Sequence, residues 1–364
     1  MIRRCLPFVA LLHLTASAMA QQPAAVPVPV LAQQPVVAPA PAPSAQDATF
    51  TAFIAGLRDG AIREGVKPAT FDRETAGLTF NPRVVSFDRG QPGGSPSGPP
   101  GVMDFAPYRR SHVDQAHVTK GRALYQGLSA MLAGNEARTG VSARVALSIF
   151  GLETGYGSFT GNFDLIRSLA SLAYEGRRRE LFTAELIATI KLIDLGFTRD
   201  MLKGSWAGAT GYPQFLPSVY LRIGTDGDGD GKADIWRSRA DALASIAAYL
   251  QEAGWKPRTP WGVQVMVPGT LDRASLRSPL ASPRCPRVHA RYSRWLTIAE
   301  WKAKGILFAG AAQLPDTELA SLIEPDGPGN PAYLLTTNYR SILDYNCSNF
   351  YALSVGVLAD EVTR

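Results

Sequence analysis

Val145, Ile149 and Glu153 recur at four-residue spacing, so on a helix they share one face. Two are apolar and turn that face inward, and the third carries a carboxylate with them. Gly155 and Gly157 follow and stop the helix. A carboxylate so placed is partly desolvated and lies near the negative end of the helix dipole. Both effects raise its pKa, and a carboxyl group that keeps its proton near neutral pH is what a general acid needs. A glutamate that merely caps a helix or joins an ion pair at its end would show the same spacing.

A second cluster has the spacing of a metal site. Asp226, Asp228, Asp230 and Asp234 stand at positions one, three, five and nine of a run with Gly231 at position six, as in an EF-hand calcium loop. With Lys232 they form the candidate ligand positions for a structural calcium ion. The run departs from the pattern at position twelve, where Arg237 replaces the bidentate acid. Asp241, one helical turn further on, is a substitute. The alternative is a solvated Asp-Gly turn between two helices.

These groups need a frame, and the periodicity supplies one that is mostly helical. Apolar residues at three- and four-residue spacing predict helices over His117–Ala137, Ser142–Glu153, Arg179–Leu195 and Ala240–Ala253, with a last one over Tyr351–Val362. Phe50 to Arg83 is also helical in pattern, with Phe53, Ile54 and Leu57 on one stripe. Arg89 to Gly101, rich in Gly, Pro and Ser, reads as a loop. After Trp255 the texture changes, and Val263–Val267 and Leu334–Thr337 read as strands. The expected class is α+β, mainly helical, with no alternating βαβ units. A helical core covers about 105–255 and 335–362, and a smaller mixed lobe about 256–334.

The N-terminus reads as an export leader. Arg3 and Arg4 precede the short apolar run Leu6–Leu14, and Ala18-Met-Ala20 resembles a cleavage site, giving a signal peptide over 1–20. Residues 21–47 form an uncharged Pro/Ala-rich linker, and the folded part spans 48–364. No later stretch is apolar enough for a transmembrane helix. The 37 basic and 31 acidic residues give +6, and loss of Arg3 and Arg4 with a leader would leave +4. A mildly basic exported protein suits an anionic polymer, and equally a membrane surface. Past the leader two cysteines remain, Cys285 and Cys347. In an oxidising compartment such a pair is more often bridged than free. Two buried thiols are the alternative.

Gly151-Leu-Glu153-Thr-Gly-Tyr-Gly157 resembles the catalytic motif of lytic murein transglycosylases of the membrane-bound lytic transglycosylase B type, glycoside hydrolase family 103. Phe182-Thr-Ala-Glu185-Leu, Lys203-Gly-Ser205-Trp-Ala-Gly-Ala-Thr-Gly-Tyr212-Pro-Gln214-Phe-Leu-Pro-Ser-Val-Tyr220, Ala240-Asp-Ala-Leu-Ala-Ser-Ile-Ala-Ala-Tyr249-Leu and Asp344-Tyr345-Asn346-Cys-Ser-Asn-Phe-Tyr351-Ala follow in the family's order. The resemblance covers roughly residues 48–362.

It implies a lysozyme-like catalytic core and a periplasmic enzyme acting on peptidoglycan glycan strands. Glu153 would protonate the oxygen between N-acetylmuramic acid and N-acetylglucosamine. It would then take the proton from the muramoyl O6 hydroxyl, which closes on C1 to leave a 1,6-anhydro sugar. The reaction needs one carboxylate and no cofactor, whereas ordinary glycosidases use two. Glu180 and Glu185 are the nearby acids that could supply a second. Ser205, Gln214, Tyr249, Tyr345, Tyr351 and Asn346 match residues lining the family's cleft, and aromatic faces there stack on sugar rings. Arg177 and Arg178 match basic residues suited to the carboxylates of a stem peptide. Other cell-wall enzymes are a further class of partner; nucleic acid is not. Two other readings stay open: a lysozyme-type muramidase that hydrolyses the same bond, and a non-catalytic murein-binding protein.

Overall fold

The computed structural model describes residues 45–91, 104–279, 285–289, 291–310 and 312–364. The expected signal peptide, and the linker up to residue 44, lie outside the described residues. The first helix, α1 (Ala45–Arg63), starts inside the expected linker and is followed by α2 (Pro68–Thr75) and α3 (Pro82–Gly90). Then come α4 (Phe105–His112), α5 (Gln115–Gly127), α6 (Ser129–Thr139) and α7 (Ala143–Thr154). A short strand β1 (Phe163–Asp164) leads into α8 (Leu165–Glu175) and α9 (Arg179–Asp194). After β2 (Lys203–Gly204) the chain forms α10 (Pro217–Ile223) and α11 (Arg239–Glu252). The smaller lobe holds β3 (Gly262–Met266), α12 (Pro286–His289), β4 (Leu296–Thr297), α13 (Ile298–Ala303), β5 (Leu307–Phe308), β6 (Leu319–Ile323) and β7 (Ala332–Leu335). It hands back to α14 (Thr337–Tyr345) and α15 (Asn349–Glu361).

α7 is central because it is apolar on nearly every side. Val145, Ala146, Leu147, Ile149 and Phe150 are all buried, and a helix apolar all round belongs inside a protein. α15 is its equal, buried from Tyr351 to Ala359. The two pack together, with α5, α6 and α11 on the remaining flanks of α7. A second core joins α1–α3 to α8 and α9 through Phe50, Phe71, Val84, Leu169 and Ile190. Each Leu, Ile or Phe removed from water contributes roughly 1.5–3 kcal/mol.

The five-stranded sheet has the order β4-β6-β7-β3-β5, antiparallel throughout. Its own core gathers Val263, Ile298, Trp301, Leu322 and Leu334. It meets the helices where Trp261 lies against Gly356: a Cβ on that glycine would come 2.4 Å from the indole ring.

Two expectations are corrected. The single helix over His117–Ala137 is two, α5 and α6, because Leu128 leaves helical geometry at φ −109°, ψ 15°. The smaller lobe carries more strands than the two expected. β4, β5 and β6 are two to five residues long, too short to show alternation among the prolines and glycines. Among the described residues no helix is long and apolar enough to cross a membrane.

Candidate active site

α7 delivers Glu153 one residue before the helix ends. Gly155 is left-handed at φ 57°, and its N–H returns to the Gly151 carbonyl at 2.8 Å. That closure turns the chain sharply under the carboxylate. Gly157 follows at φ 81°, where a Cβ would lie 2.9 Å from the Tyr212 ring. Thr154, behind Glu153, ties the turn together: its hydroxyl donates to the Tyr212 carbonyl at 3.3 Å and accepts the Gly157 N–H at 3.0 Å.

Glu153 keeps an opening to solvent but is enclosed by enough protein to be desolvated. Burial pushes its pKa up to about 7, against a smaller opposing effect from a bond to Tyr351. The C-terminal end of α7 adds negative potential in the same upward direction. Tyr351, on α15, donates from its hydroxyl to Glu153 Oε1 at 2.6 Å. The phenols of Tyr108, Tyr345 and Tyr351 are all raised, by burial first and then by the charge of Glu153. Tyr351 of α15 thus touches the carboxylate, and Tyr108 of α4 and Tyr345 of α14 lie near enough to feel its charge.

Neither neighbouring acid joins it. Glu185 is buried on α9 and accepts the main-chain N–H and hydroxyl of Ser218 at 2.9 and 2.5 Å, fixing the start of α10. Glu180 is exposed in the first turn of α9. Among the described residues no other carboxylate contributes to the shift at Glu153.

The remaining expected residues fall into three groups. Tyr345 and Tyr249 lie ring to ring at 4.8 Å, and Phe215 packs on both. Tyr345 donates to the Pro213 carbonyl at 2.5 Å, and Tyr249 to the Asp344 carbonyl at 2.9 Å. Ser205 and Gln214 belong to the turn beneath them. The Ser205 hydroxyl accepts the Ala209 N–H at 3.0 Å, and among the described residues it is not bonded to Glu153. Gln214, left-handed at φ 53°, donates from Nε2 to the Thr160 and Gly211 carbonyls at 3.1 and 2.9 Å. Its Oε1 accepts no bond from the described residues. Asn346 is exposed and ends α14. Arg177 and Arg178 stand apart, at the α8–α9 turn, where both bond Asp88 of α3.

Tyr108 and Asp88 escaped the sequence reading. A tyrosine on a short polar helix, and one aspartate among arginines, carry no periodic signal.

In the acidic loop, oxygens of Asp226, Asp228 and Asp230 lie within 4.8 Å of one another. Asp226 also accepts the Gly229 and Gly231 N–H groups at 2.6 and 2.8 Å. Asp234 is directed to the Trp236 and Arg237 N–H groups, both at 3.0 Å. Asp241 does not reach the loop's centre. It is buried, and its oxygens accept the Gly227 and Asp234 N–H groups at 2.8 and 2.7 Å. Three close carboxylates suit a hard cation, with no acid at the twelfth position to complete the cage. Elsewhere, a disulfide joins Cys285 to Cys347 with 5.7 Å between the Cα atoms.

Residues 49–360 match the family model described as a transglycosylase SLT domain. The chain is 30% identical over 271 residues to membrane-bound lytic murein transglycosylase B of Escherichia coli K12, spanning 73% of this chain and 69% of that one. Among solved structures, SltB3 of Pseudomonas aeruginosa in complex with NAG-anhNAM-pentapeptide is 37% identical. It superposes with a TM-score of 0.75 over 86% of this chain and 79% of that one. The same protein has been solved with NAG-NAM-pentapeptide. Escherichia coli SLT35 in complex with calcium shares the fold, at 24% identity and a TM-score of 0.69 over 88% of this chain and 94% of that one.

Proposed function

The chain belongs to the transglycosylase SLT-domain family, and from that membership we propose that it cleaves peptidoglycan glycan strands without water, through Glu153 alone. The bond is the β-1,4 link from N-acetylmuramic acid to N-acetylglucosamine. Glu153 enters protonated and gives its proton to the glycosidic oxygen as the C1–O bond breaks. The resulting carboxylate accepts the proton of the muramoyl O6 hydroxyl, and O6 bonds to C1. The ends formed are 1,6-anhydro sugars, and Glu153 regains its proton. The single observation that carries this is a carboxyl group whose pKa burial raises to about 7, bonded to Tyr351 and joined by no second acid among the described residues. A lone acid–base residue suits an internal nucleophile, whereas most retaining and inverting hydrolases use a partner carboxylate.

Tyr108, Tyr249, Tyr345 and Tyr351 would border the sugars, with the Ser205 hydroxyl and Gln214 Oε1 as polar contacts. Arg177 and Arg178 would take the carboxylates of a stem peptide. A calcium ion at Asp226, Asp228 and Asp230 would pin the loop between α10 and α11 and take no part in the chemistry. The expected leader and the cell-wall substrate together point to the periplasm.

Digesting purified sacculi and weighing the products tests the proposal. Anhydro-muramoyl ends are expected, and Glu153→Gln should lower turnover about 10²- to 10⁴-fold. Reducing muramic acid ends would replace this reading with a lysozyme-type hydrolase.

A further inference from the structure

Asp88 of α3 is 1% exposed, and a carboxylate that deep is found only with partners. Its partners are two consecutive arginines. Arg177 donates from Nε to Oδ2 at 2.6 Å, and from Nη2 to the Asp88 main-chain carbonyl. Arg178 donates from Nη2 to Oδ1. Burial pushes the Asp88 carboxyl up, yet the bonds from the two arginines outweigh it and hold the group below the ordinary carboxylate range.

Glu175 also attracts Arg177 but is itself paired with Arg89, so across the cluster two negative charges face three positive ones, and the side chains of Arg177 and Arg178 stay 36% and 38% exposed. Arg178 is also stacked, its Cζ 4.8 Å from the Phe182 ring centre, and its Nε is buried with no bond. Two long side chains, each able to offer a planar fork, are thus held in place beside a surplus positive charge. That arrangement suits a planar anion and removes much of the ordering cost of binding it. α3 also reaches the candidate cleft. Phe87, next to Asp88, lies 6.1 Å from the ring of Trp206, which follows Ser205.

We propose that Asp88 is a positioning residue that presents Arg177 and Arg178 to the carboxylates of a stem peptide. Preference for peptide-bearing glycan is thereby set from α3, outside the Glu153 core. The inference rests on the substrate reading above.

Kinetics on peptide-bearing glycan and on the same glycan stripped of its peptides test it. For each variant the readout is the ratio of kcat/KM between the two substrates, with anhydro ends checked by mass. Wild type should prefer the peptide-bearing polymer. Asp88→Asn should cut that preference about tenfold, through KM rather than kcat. Arg177→Ala/Arg178→Ala should cut it as much, and adding Asp88→Asn to that pair should cut it no further. If the arginine pair loses the preference while Asp88→Asn keeps it, the positioning role is overturned and the substrate reading stands. If wild type shows no preference, or the arginine variant keeps it, peptide selection at this turn is overturned altogether. Should Asp88→Asn fail to fold, Arg177→Lys/Arg178→Lys decides, since it keeps both charges and loses the forks. A preference retained there overturns the proposal, and one lost supports it.

Discussion

A group that serves as acid and then as base must hold its proton loosely enough to give it and firmly enough to have it. Glu153 meets both demands with a pKa of about 7. In the free enzyme the protonated form is the competent one, so kcat/KM should fall about tenfold for each pH unit above 7. Tyr351 opposes the upward shift, because its hydroxyl bonds the charged carboxylate best. Tyr351→Phe removes that restraint and should move the alkaline limb of the pH–rate profile upward by about one unit. A limb left in place would mean that burial alone sets the value. The glutamate was visible in the sequence because Val145 and Ile149 repeat its spacing. Tyr351 could be matched to the cleft but not to Glu153, since 198 residues separate them and only packing joins them.

The elements differ in how openly they declare themselves. α7, α9, α11 and α15 were legible to within a few residues, since long apolar stripes leave a periodic trace. β4 and β5, two residues each, leave none, and their pairing is settled by neighbours distant in the chain. The acidic loop is intermediate: its spacing was plain, but the inward turn of Asp241 was not. With Arg237 at the twelfth position the loop should bind calcium weakly, near the 10⁻⁴–10⁻³ M range of extracellular sites. Saturating calcium should then raise Tm by a few degrees over protein in chelator. Asp226→Asn/Asp228→Asn should abolish the difference and leave the products unchanged. An equal Tm in both buffers would return the loop to a simple turn.

At the scale of the molecule, the sheet and the helices are held together at both ends of α14. At its start the Thr336 N–H bonds the carbonyl of Trp261, whose ring packs on Gly356 of α15, and just past its end the Cys285–Cys347 disulfide spans 62 residues. A cross-link of that length contributes about 4 kcal/mol by restricting the unfolded chain. Cys285→Ser/Cys347→Ser should therefore lower Tm by roughly 8 °C, read by calorimetry against the oxidised wild type. An unchanged Tm would show that packing alone holds the smaller lobe.

The bond between Tyr351 and Glu153 also has a consequence in time. A chain is made from its first residue onward, and Glu153 is finished long before the helix that shuts it in. Without α15, α7 would lack a large apolar neighbour and Glu153 would lose the burial that raises its pKa, moving toward an ordinary acid that is ionised at neutral pH. A chain clipped before α15 should therefore lose the protonated acid as well as the packing: the helix that closes the core is also the one that arms the enzyme.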